Sequence, residues 1–368
     1  MTDDTMRADS GRSDRLLRAL RREPVDATPV WFMRQAGRSL PEYRRIRERA
    51  SLADIVGDAA LCAEVSLQPV DRHGVDATIV FADITTPLPG IGVAVDIVEG
   101  VGPVIEHPIR TAADVDRLRA FDAEASVGSL LEAIALVRRA SPVPVIGFAG
   151  APFTLASYLI EGRSPRELAR TKALMHTEPA VWDALLSTIV DMDITYLRAQ
   201  VAAGAHVLQL FDSWIGQLSP FDYRAYVLPH VRRLFAGLAD LGVPTIHFGT
   251  GTAGLLAAMA EAGGDAIALD WRVGLADGWS RVGERAVQGN LDPQLLLGPW
   301  AATEVQAKAI LDEAAGRPGH VFNLGHGVLP ETDPDDLRRL VDLVHARRVD
   351  GARAEGRPAV TSVAAGRP

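Results

Sequence analysis

The chain has 368 residues, 48% of them hydrophobic and 23% charged, an ordinary balance for a globular protein. Its formal net charge of -9 removes the global positive field that general nucleic-acid binding relies on. A single cysteine, Cys62, excludes a disulfide within the chain and a zinc site built on several cysteines.

The opening stretch, MTDDTMRADSGRS, is polar and lacks the apolar core of a secretory signal. Residues 1–13 and 350–368 show no periodicity and are expected to be disordered tails around one domain spanning 14–348. Within that span, eight short apolar runs recur: 28–33, 77–81, 142–148, 205–210, 243–248, 265–269, 285–289 and 320–324. Each is rich in Val, Ile, Leu and Ala, as a strand buried on both faces should be. Amphipathic segments lie between them, among them 130–140, 180–204 and 334–348. Eightfold alternation of strand and helix predicts an α/β fold, a single (β/α)8 (TIM) barrel, with a doubly wound open sheet as the alternative. The glycine-punctuated alternation over 91–109 predicts a small hairpin insertion after strand two. No uninterrupted apolar run reaches the ~18 residues a membrane helix needs, so the expectation is a cytoplasmic protein with no membrane partner.

Barrel enzymes keep their chemistry at the C-terminal ends of the strands. Here those ends read RQAGR, ADI, AGAPF, FDSW, GTG, DWR, GNLDP and GHG. Arg34 and Arg38 flank a glycine, and guanidinium forks bind carboxylates bidentately while staying charged. Surface pairing on a helix is the competing explanation, and it suits Arg44, Arg45 and Arg47 better. Asp83 either caps a helix or accepts N–H bonds and steadies a cation. Tyr158 either packs within a helix or offers its hydroxyl, and Ser213 could equally be an N-cap. His326, set between two glycines after the last strand, is hard to explain as core, whereas His247 reads as a core histidine. No pair of histidines has metal-ligand spacing on a helix. The only lysines, Lys172 and Lys308, fall in expected helices, away from any strand end, which argues against Schiff-base chemistry.

These residues carry a resemblance. PVWFMRQAGRSLPEYR (29–44) and GFAGAPFTLASYLIEG (147–162) resemble the two signature segments of the uroporphyrinogen decarboxylase family. FADI, LFDSW, HFGTG, LDWR, QGNLDP and NLGHGVLPETDP resemble its other motifs in the same order, so the likeness spans about residues 14–345. It implies a carboxy-lyase of haem biosynthesis that converts the four acetate arms of uroporphyrinogen III to methyls, giving coproporphyrinogen III and CO2. It also implies a homodimer and no metal or organic cofactor. By motif position it assigns catalysis to Asp83, Arg38, Tyr158 and His326. Substrate binding falls on Arg34, Gln35, Arg38, Asp83, Tyr158, Phe211, Ser213 and His326. The competing readings are a corrinoid-linked methyltransferase with thiolate-bound zinc, a phosphate-binding barrel using the glycines at 249–251 or 325–327, and a non-catalytic tetrapyrrole carrier.

Overall fold

The computed structural model describes residues 13–98, 100–164, 167–347 and 349. The expected tails, apart from Ser13, lie outside the described residues. Among the described residues, seven parallel strands form one sheet: β1 (Thr78–Ile79), β4 (Val145–Gly150), β5 (Val207–Asp212), β6 (Thr245–Gly249), β7 (Ala266–Ala268), β8 (Ala286–Gln288) and β9 (His320–Val321). Each pairs with its neighbour in chain order, and each falls on one of the apolar runs read from the sequence. Between β1 and β4, Val95–Val98 (β2) pairs antiparallel with Gly102–Ile105 (β3). All of β4 is buried, which is why its sequence, VIGFAG, lacks polar alternation.

Helices pack against the sheet through regular apolar stripes. The longest, Pro179–Ala203, buries Trp182, Leu185, Leu186, Ile189 and Val190 on one face. Pro334–Ala346 starts on Asp333, whose side chain accepts from Asp335 N, and it buries Leu337, Leu340, Val341 and Val344. Among the described residues no helix is long and apolar enough to cross a membrane.

The sheet is strongly curled. Trp31 Nε1 donates to Gln288 Oε1 at 2.9 Å, and Gln288 Nε2 donates to Gln209 Oε1 at 3.1 Å. All three side chains are fully buried, and their backbones belong to the first apolar run, β8 and β5. Side chains from such distant strands meet only if the sheet wraps around them.

The first apolar run, 28–33, differs from expectation. It contributes one parallel bridge, Val30 to Phe322, rather than a strand. On its other side the join to β1 is made largely by side chains. Asp76 N donates to Val30 O, but Val30 N donates to the Asp76 carboxylate at 2.8 Å. Phe32 N donates to Gln35 Oε1, and Gln35 Nε2 donates onward to Ala77 O. Two side chains thus take places that backbone groups fill elsewhere in the sheet. At the opposite end from the site described next, Asp76 also accepts from Arg15 at 2.6 Å and lies 2.7 Å from His345 Nε2, while Arg15 grips Asp26.

Candidate active site

The loop after the first run begins with Arg34 in a left-handed conformation, φ 61°. Non-glycine residues pay for this conformation, and such strain clusters at functional sites. Two contacts hold the loop in place. The stem of Arg34 lies against Gly327, where a Cβ would come within 2.5 Å of Arg34 Cδ, so the facing loop has to be glycine there. Arg44 donates to Arg38 O at 3.1 Å and to Pro330 O at 2.6 Å, tying the same two loops together. Arg44 is therefore a strap and not simply the solvated face read from the sequence; Arg45 is exposed, as expected.

Arg34 and Arg38 both remain accessible to solvent. Yet loss of water lowers the Arg34 pKa, Arg38 lowers it further, and Asp83 and Tyr158 oppose the shift. A side chain that solvent reaches but protein surrounds lies in a recess. Tyr158 comes from the helix Pro152–Glu161, and burial pushes its phenol up. Asp83 and Arg34 also act on it, in opposite directions. Arg34, Arg38, Asp83 and Tyr158 therefore share one electrostatic neighbourhood.

Asp83 divides its carboxylate between two tasks. Oδ1 accepts from Thr85 N at 2.9 Å and Thr85 Oγ1 at 2.6 Å, the cap-like turn read as one alternative from sequence. Oδ2 has no hydrogen-bond donor among the described residues, and Asp83 is only partly buried. One oxygen fixes the carboxylate while the other stays available.

His326 completes the group. Gly327 N donates to its Nδ1 at 2.7 Å, which places the ring proton on Nε2. Burial lowers its pKa to about 4, reinforced by Arg34, Arg38 and Arg272 and opposed by Asp270. It is a neutral Nε2–H donor near neutral pH. Its ring lies 6.2 Å from Phe248, which meets Phe211 edge-on at 5.8 Å, and Phe211 meets Phe148 at 5.4 Å. These aromatic rings come from β4, β5 and β6 and lead up to His326. Ser213 follows β5, half-buried, with its carbonyl accepting from Thr250 Oγ1 at 2.5 Å.

Gln35 is fully buried, with its amide bonded to backbone at both ends, so it braces the arginine loop from behind. His247 is buried at β6, 3.6 Å from Asp212 Oδ2, in keeping with a core position. Lys172 and Lys308 lie on helices. Cys62 donates to Phe81 O, and burial pushes its thiol up to about 12. No group of three or more His, Cys, Asp or Glu among the described residues could hold a metal ion.

The family model for uroporphyrinogen decarboxylase (URO-D) matches residues 12–347. The chain belongs to the uroporphyrinogen decarboxylase family. It is 55% identical over 331 residues to the uroporphyrinogen decarboxylase of Salinispora tropica, covering 89% of each chain. The Thermus thermophilus uroporphyrinogen decarboxylase is 52% identical over 334 residues, covering 90% of this chain and 97% of that one. Among solved structures, a methyltransferase from Methanosarcina mazei superposes with a TM-score of 0.75 at 22% identity, covering 91% of this chain and 98% of that one. That likeness is one of fold.

Two members of the neighbourhood escaped the sequence reading. Arg272 acts on His326, and fully buried Asp270 holds Arg272 at 2.6 Å. The DWR motif stood among the strand ends, but nothing in the sequence said that its aspartate was buried and its arginine half-exposed.

Proposed function

We propose that the chain is a cofactor-independent uroporphyrinogen decarboxylase, which removes the carboxyl groups of the four acetate arms of uroporphyrinogen III as CO2 to leave coproporphyrinogen III. The observation that carries this reading is the half-free Asp83 carboxylate set among Arg34, Arg38, Tyr158 and His326. The substrate has eight carboxylates around four pyrrole N–H groups. Arg34 and Arg38 supply counter-charge to carboxylates, and Asp83 Oδ2 accepts pyrrole N–H bonds. Protonation of a pyrrole carbon makes a cation. The acetate C–CO2 bond then breaks, and its electron pair neutralises the ring as an exocyclic methylene. Reprotonation of that methylene gives the methyl group, and loss of the proton first added to the ring carbon restores the neutral pyrrole, so each arm consumes one proton net and releases one CO2. Asp83 stabilises the ring cation electrostatically. His326 donates through Nε2–H, Tyr158 and Ser213 through hydroxyls, and Phe211 packs against the macrocycle. Gln35 acts through the loop it braces, without touching substrate.

The same reading takes 14–348 as one closed (β/α)8 barrel with β2–β3 as its hairpin insertion, in a cytoplasmic homodimer. The Val30–Phe322 bridge and the Trp31–Gln288–Gln209 contacts support closure. A carrier would keep the arginines but would have little use for an open carboxylate among them.

The test is anaerobic incubation with uroporphyrinogen III, then oxidation and separation of the porphyrins by carboxylate number. Hepta-, hexa-, penta- and tetracarboxylates should accumulate in turn, with turnover undiminished by exhaustive chelation. An unchanged octacarboxylate would indicate a carrier, and activity lost on chelation and restored by one metal would overturn the cofactor-free reading.

A further inference from the structure

One guanidinium near the site is held as if for use, yet has no part in the scheme above. Asp270 is fully buried, and its Oδ2 accepts from Arg272 Nη1 at 2.6 Å and from Gly251 N at 2.5 Å. Its Oδ1 accepts from Arg272 N at 3.1 Å. The guanidinium carbon lies 4.0 Å above the Trp271 ring. One edge of the fork is thus fixed by a buried anion and one face by an indole. The Arg272 side chain is nevertheless 51% exposed, and its Nε and Nη2 donate to nothing among the described residues. The loop abuts that of His326, since a Cβ at Gly325 would run into Trp271 N. His326 feels Arg272 in the same way that it feels Arg34 and Arg38.

We propose that Arg272 is a third carboxylate-binding arginine of this mouth, taking a substrate carboxylate through Nε and Nη2, with Asp270 as its positioning residue. This rests on the porphyrinogen reading above. A ligand carrying eight carboxylates around a ring leaves most of them outside the reach of the Arg34–Arg38 loop. A guanidinium already pinned on one edge loses less freedom when it binds than a solvated one.

The variants are Arg272→Gln and Arg272→Lys, measured at steady state with uroporphyrinogen III. Arg272→Gln should raise KM about tenfold or more, the loss of one charge-assisted contact, with kcat changed far less. Arg272→Lys should recover part of the affinity, because it keeps the charge without the fork. The His326 ring should titrate at higher pH in Arg272→Gln, read by NMR, because one of the cations holding it down is gone. Should Arg272→Gln fail to fold with Asp270 left buried and alone, Asp270→Asn/Arg272→Gln removes both charges, and its KM answers the same question. A KM equal to wild type in the folded variant overturns the proposal. If the wild-type protein turns over no uroporphyrinogen, the functional reading has failed, but fluorescence titration with the stable octacarboxylate uroporphyrin still tests Arg272. Weaker uroporphyrin binding by Arg272→Gln supports the assignment, and equal binding refutes it.

Discussion

Asp83 shows how one side chain can answer two questions at once. The alternatives open from sequence were a structural cap and a functional acceptor, and the carboxylate has one oxygen bonded as a cap and the other without a donor among the described residues. This shapes the outcome of Asp83→Asn. The amide oxygen remains the better acceptor for Thr85, so the NH2 turns towards the pyrrole N–H groups and presents donor to donor. Charge stabilisation of the ring cation disappears as well. At about 4 Å and an effective dielectric near 20, that interaction is on the order of 4 kcal/mol, roughly a thousandfold in rate if fully expressed. Asp83→Asn should therefore fold normally and lose most of its turnover, as steady-state assays and melting curves on the same preparations will show. Wild-type turnover would leave Asp83 as a cap only. Arg34→Ala and Arg38→Ala should each cost roughly 1.5–3 kcal/mol in kcat/KM. Arg45→Ala, at an exposed position, should cost almost nothing, and equal losses at all three would mean that only bulk charge was being measured.

Among elements, the sequence was informative wherever burial on both faces leaves an apolar run, which is why β4 to β9 lie on the expected segments. It was uninformative where a side chain does the work of a backbone group. Nothing in TPVWFM says that Asp76 will take the Val30 amide or that Gln35 will relay Phe32 N to Ala77 O. Gln35 was noticed by motif as a pocket residue, and its geometry reveals a brace. Likewise, the buried state of Asp270 depends on loops far apart in sequence, so Arg272 looked like any other arginine. Gln35→Leu tests the brace. It strands two buried backbone groups, each costing about 1–3 kcal/mol when unpaired. Urea unfolding should show that loss, and KM should rise because the arginine loop is no longer held from behind. Unchanged KM with reduced stability would separate the brace from the site.

At the level of the whole molecule, acid should unfold this protein partly through histidines that contact no substrate. Burial holds His73 and His320 down to about 4, and the neighbouring Arg72 and Arg317 charges push the same way. In the unfolded chain both protonate near 6.5. Below 6.5 the unfolded state therefore binds more protons than the folded one. The stability that comes from keeping these rings neutral is whole above 6.5 and is lost as pH falls towards about 4. Each contributes a slope of about 1.4 kcal/mol per pH unit within that window. Denaturant midpoints measured between pH 7 and 5 should fall accordingly, and His320→Gln should flatten the fall; an unaltered slope would show that His320 is not its source. The clamp at the far end of the sheet predicts a different response: Asp76→Ala takes one partner from Arg15, which keeps Asp26, and strands the buried Val30 amide, which should cost about 1–3 kcal/mol in calorimetry or urea titration. The join beside β1 has a further consequence in time rather than energy. An amide bonded to a neighbouring strand is released when the strands part, but the Val30 and Phe32 amides are released when one carboxylate or one carboxamide rotates away. Their hydrogens should exchange with deuterated solvent sooner than those of Leu208 and Gln209 in the middle of the sheet, so the wall breathes at a latch two residues from Arg34.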